Sequence, residues 1–127
     1  MYYVVESSKS FYEACFDLEP VIQRLGFVTL HALDINSPLR RKEFNVDDEC
    51  KVFDICNYPL MEKLLTIDMR LSLALSWRIS VFTDNGTTRI GLLRPSCQLA
   101  ALSENAEVAR IAREIEEKVI QVVDETR

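Results

Sequence analysis

The sequence is poor in the residues from which most small active sites are built. It has a single histidine, His31, and only three glycines. Its four cysteines (15, 50, 56 and 97) form no CxxC pair. There is no GxSxG, P-loop, GxGxxG or HExxH pattern, which removes the usual signatures of acyl transfer, phosphate cradling, dinucleotide binding and zinc proteolysis. One histidine with scattered thiols does not make a zinc site, so no metal or cofactor is called for. No apolar run approaches the roughly 20 residues of a membrane helix. The opening Met1-Tyr2-Tyr3-Val4-Val5-Glu6 lacks a basic then apolar leader, which points to a cytoplasmic chain without a membrane partner.

Charge removes another class. The net charge is −5, whereas nucleic-acid affinity rests on Lys and Arg neutralising phosphates. Arg40-Arg41-Lys42 is the one basic cluster, and Glu43, Asp47, Asp48 and Glu49 follow close behind it. No nucleic-acid partner is expected. At 127 residues, 48% hydrophobic and 28% charged, the chain reads as one globular domain over 1–127.

The elements follow from local signals. Tyr2 to Glu6 is aromatic and β-branched, and reads as a strand. Ser10 and Glu13 form a capping box for a helix running toward Leu25, with Gly26 as its left-handed stop. Pro20 inside that helix predicts a kink or a break. A second strand spans Phe27 to Leu33. Strict alternation puts Phe27, Thr29, His31 and Leu33 on one face. Between 34 and 49, Ser37 as N-cap and Pro38 at the first position suggest a short helix.

A third strand, Cys50 to Cys56, places Cys50, Val52, Asp54 and Cys56 on one face. Its length holds Cys50 and Cys56 about 20 Å apart, too far to bridge or share a metal. Asn57 then caps a short helix carrying Leu60, Met61, Leu64 and Leu65 to near Asp68. The clearest β signal covers 71–94, with a type I′ hairpin turn at Asp84-Asn85-Gly86. Pairing across Asn85-Gly86 sets Val81 opposite Ile90 and Ile79 opposite Leu92, core-facing with Trp77. The reverse side shows Arg78, Ser80, Phe82, Arg89, Gly91 and Leu93, and Gly91 would bare the backbone there. An irregular stretch carries Cys97. Ser103 or Asn105 then caps the longest helix, with Val108, Ile111, Ala112, Ile115, Val119 and Val122 as its apolar stripe.

Taken together, these segments resemble the domain of unknown function 302 family. The likeness is carried by Tyr3-Val4-Val5 through Ser10-Phe11, and by Gly26-Phe27 leading to Leu30-His31 and Asp34. Cys56-Asn57 with Pro59, Arg78-Ile79-Ser80-Val81 and Arg94-Pro95 complete it. The resemblance spans nearly the whole chain. It implies an α+β fold in β-α-β(4)-α order, like that of the TATA-box-binding protein: a single curved antiparallel sheet with helices packed on one face. It implies no activity. Members often show Leu-Pro-Cys where this chain has Leu75-Ser76-Trp77, so a cysteine pairing with Cys56 from that position is ruled out here.

A sheet with helices on one side leaves a second face to be covered or used. The expected site residues on it are His31, Asp54, Cys56, Arg78, Ser80 and Gly91. Two readings follow. In the first, a non-enzymatic domain binds a small ligand or protein partner on the sheet face, as a homodimer. In the second, Cys56 is the nucleophile of a thiol enzyme or redox protein, assisted by His31 or Arg78. A helix N-terminus beside Cys56 favours the thiolate, but a free cysteine is most often a small buried residue. His31 is open to the same two readings, an ordinary hydrogen-bonded strand residue or a ligand and proton-transfer group.

Overall fold

The computed structural model describes residues 1–127. Five strands form one antiparallel sheet: β1 (Tyr2–Ser7), β2 (Val28–Asp34), β3 (Cys50–Cys56), β4 (Trp77–Asp84) and β5 (Thr87–Leu93). Their spatial order is β1-β5-β4-β3-β2, so the N-terminal strand pairs with the last one. The helices are α1 (Phe11–Arg24), α2 (Asn36–Arg41), α3 (Tyr58–Ile67), α4 (Pro95–Ala100) and α5 (Ala106–Thr126). No helix is long and apolar enough to cross a membrane.

Local chemistry sets most boundaries. Ser10 Oγ accepts from the Glu13 amide at 3.2 Å while Glu13 Oε1 accepts from the Ser10 amide at 3.3 Å, the reciprocal capping box. At the other end of α1, Gly26 takes φ +90°. Its amide reaches Gln23 O and the Phe27 amide reaches Ile22 O, a Schellman closure that turns the chain into β2. Asn57 and Asn105 cap α3 and α5 with their side-chain oxygens. Asn85 and Gly86 both adopt positive φ, so the hairpin closes with Val81 opposite Ile90 and Ile79 opposite Leu92.

Four local expectations change. α1 runs unbroken through Pro20. The carbonyl that Pro20 leaves without a donor belongs to Phe16, on the exposed side of the helix, where solvent is at hand to satisfy it and the lost bond costs little. α2 begins at Asn36, with Ile35 rather than Ser37 at the N-cap position, and Asp34 Oδ1 just ahead of it accepts from the Asn36 amide at 3.0 Å. Ser37 instead donates its hydroxyl to Asp34 Oδ2 at 2.6 Å. Residues Met69–Ala74 form a 3-10 turn ahead of β4. The segment with Cys97 is the helix α4, with Pro95 at its first position, where a missing N–H costs nothing.

The core lies between the sheet and the helices. Phe53, Ile55, Trp77, Ile79, Val81 and Ile90 point inward from the central strands. The stripe expected on α5 is buried against them in full. Ala14, Leu18 and Ile22 of α1 and Leu60 and Leu64 of α3 fill the same cluster. The opposite sheet face carries no helix of this core, which leaves it available as a site.

Candidate functional site

The site is a row pattern before it is a pocket. Cross-strand partners share a face, and the register sets His31 opposite Asp54 and Asp54 opposite Arg78. The next row reads Leu33, Val52, Ser80, Gly91, Val4 from edge to edge. A bulge between Thr29 and His31 makes the first row possible. Thr29 pairs with inward-facing Ile55, and the extra residue Leu30 then sends His31 outward beside Asp54. Strict alternation would have kept Thr29 and His31 on one face. The bulge separates them.

Over β1, β5, β4 and β3 this outer face forms a groove of about 470 Å³. Asp54, Arg78, Ser80 and Gly91 all line it. Arg78 Nε donates to Asp54 Oδ1 at 3.2 Å, and the two terminal guanidinium nitrogens have no protein acceptor. Ser80 Oγ lies 3.7 Å from Cys50 Sγ. Apolar walls come from Val4, Phe82 and Leu93, with the Tyr2 ring at one end.

Two expected residues stay outside. His31 sits exposed at the edge end of its row and lines no part of the groove. Cys56 is 0% exposed, and burial pushes its thiol above the ordinary range. The helix start beside it offers little to a thiolate. Pro59 has no N–H, and the Leu60 amide is already taken by Asn57 Oδ1 at 3.0 Å. Gly91 also differs from expectation. It lines the groove, but its backbone is largely covered, because the Val4 side chain packs against it.

Sequence reading missed Tyr2, Val4, Ser76 and Gln98 as lining residues. For Tyr2 and Val4 the alternation was there to be read, but not that β1 would lie beside β5. Gln98 required knowing that the segment after Arg94 is helical. Among all residues, no group of three or more His, Cys, Asp or Glu side chains is placed to hold a metal, and all four cysteines are free.

The family model for the domain of unknown function DUF302 matches residues 3–126. The chain belongs to the DUF302 family. The crystal structure of an uncharacterized conserved DUF302 protein from Bacillus stearothermophilus superposes with a TM-score of 0.93. The match covers 99% of this chain and 98% of that one at 23% sequence identity, so the two share the fold. No curated protein matches. The DUF302 fold is thus the five-stranded antiparallel sheet with helices alongside that the elements above describe.

Proposed function

We propose that this DUF302 chain is a one-domain, non-enzymatic binding protein that takes a small ligand on the outer face of its sheet. One observation carries the reading. The groove has a volume within the usual range for ligand sites, mostly apolar walls and a few convergent polar groups. Arg78 adds donors that no protein atom uses. The burial of Cys56 and its raised thiol pKa favour binding over the thiol chemistry that was the alternative. The acidic balance disfavours a nucleic-acid partner.

The reading includes a homodimer, and β2 is the surface that supports it. This edge strand is exposed along both faces, with Val28, Leu30 and Leu33 all open to solvent. Phe44 and Val46 are exposed on the following loop, which Asn36 ties down by donating to Val46 O. The bulge at Leu30 interrupts the regular ladder a second strand would need, so the contact is made by side chains. Pairing there would leave the groove, whose near wall is Asp54 on the neighbouring strand β3, open for its ligand.

Amide chemical-shift mapping with small amphiphiles tests the groove. Shifts are expected at Ser80, Gly91 and Leu93, and Ser80→Trp should abolish them by filling the space. Shifts confined to other surfaces would overturn the reading. For the dimer, light scattering should return twice the monomer mass, and Leu30→Lys should return the monomer. A wild-type chain that is monomeric at every concentration would remove that part.

A further inference from the structure

We infer that the ligand is a singly charged carboxylate with an apolar body, held at its anionic end by Arg78. This rests on the groove being a ligand site, as proposed above. Arg78 is the one cation that lines the groove and Asp54 the one anion. Their single bond uses the Nε edge of the guanidinium and leaves both terminal nitrogens without an acceptor. Carboxylates match such a fork with two parallel hydrogen bonds. Asp54 therefore acts as a positioning residue, fixing the plane in which the fork is presented.

The same pair sets the charge. Arg78 takes the ligand's anionic end through two hydrogen bonds while Asp54 repels every negative charge beside it, so a dianionic phosphate would meet about twice the repulsion that a monocarboxylate meets. A cationic ligand would have to compete with Arg78 for Asp54 Oδ1. A neutral ligand would leave the terminal nitrogens to water. The remaining polar groups (Ser76, Ser80 and Gln98) are uncharged, so they add hydrogen bonds without calling for more charge on the ligand. The rest of the molecule has Val4, Phe82 and Leu93 to lie against, surfaces that reward an aliphatic or aromatic body.

The test is a matched series: octanoate, octanol and octylammonium, each titrated below its micelle concentration against the full chain. Octanoate should bind about tenfold tighter than octanol, as one charge-assisted pair implies. Arg78→Gln should weaken octanoate about tenfold and change octanol far less, so that the two affinities converge. Trp77 emission, reporting the other side of the sheet, should stay as in wild type and certify the fold. Equal binding of octanoate and octanol to the wild type would overturn the carboxylate inference while the groove reading stood. So would tighter binding of octylammonium, or an octanoate affinity indifferent to Arg78→Gln. Failure of all three probes to shift the Ser80 and Gly91 amides would overturn both.

Discussion

Val4 packs across Gly91 so closely that a methyl built on Gly91 would stand 2.5 Å from Val4 Cγ2. It would also stand 3.0 Å from the Tyr3 carbonyl oxygen, which belongs to the backbone and cannot turn aside. The glycine is therefore a packing requirement of the β1–β5 pair. Gly91→Ala should cost about 1–3 kcal/mol, the usual range for overpacking. Adding Val4→Ala should restore part of that loss. Denaturant midpoints of the single and double variants check it, and simple additivity of the two losses would deny the contact.

The sheet's inner face makes a larger claim on stability. Trp77 is 3% exposed and Ile115 1%, one from β4 and one from the α5 stripe, within a single cluster. Trp77→Ala should cost about 3–5 kcal/mol and Ile115→Ala about 2–5 kcal/mol. Exposed His31→Ala should fall within about 0.5 kcal/mol of wild type. Urea unfolding followed by far-UV circular dichroism separates these cases.

Thiol reactivity should follow exposure. Cys97 is exposed, Cys15 and Cys50 are half-buried, and Cys56 is sealed. Burial raises the thiols of Cys15 and Cys56, which lowers the thiolate fraction at neutral pH. Timed alkylation near pH 7 should label Cys97 first and Cys56 last, as read by mass spectrometry. Arg78→Ala should leave the Cys56 rate unchanged, because nothing links the groove to that sulfur. Rapid labelling of Cys56 would revive the nucleophile reading.

Cys15 also predicts an alkaline dependence. Burial, chiefly, pushes its thiol from 9.0 to about 11. Between those values the unfolded chain loses the proton while the folded chain keeps it, so the unfolded state binds fewer protons and stability falls as pH rises. The contribution is whole below pH 9 and is lost as the pH passes through about 11. The stability of wild type minus that of Cys15→Ala should therefore shrink from pH 8 to pH 10.5. Parallel urea titrations at the two pH values would show it, and a constant difference would place Cys15 in water.

How much of this was legible depends on how far apart the deciding groups lie in the chain. Ser10 with Glu13, Gly26, Asn57 and Asn85-Gly86 act within a few residues, and each does in the fold what its type predicts. The hairpin turn also fixed a register, which is why Arg78, Ser80 and Gly91 could be placed on one face from sequence. Asp54 followed by alternation along β3. Pro20 was misread because a missing N–H is costly only where the carbonyl it leaves is buried, and Phe16 lies on the exposed side of α1.

The sequence by itself determined most of the elements, the inward faces of β3, β4, β5 and α5, and the place of Asp54 and Arg78 on the outer face, because periodicity and capping are interactions between near neighbours. Only the tertiary structure decided that β1 lies beside β5, bringing Val4 over Gly91 and Tyr2 to the end of the groove. It alone placed the bulge that turns His31 outward, and it alone sealed Cys56. Strand order and single-residue bulges are chosen by packing among segments far apart in the chain. No local pattern carries that energy, so those choices are visible only once the sheet is assembled.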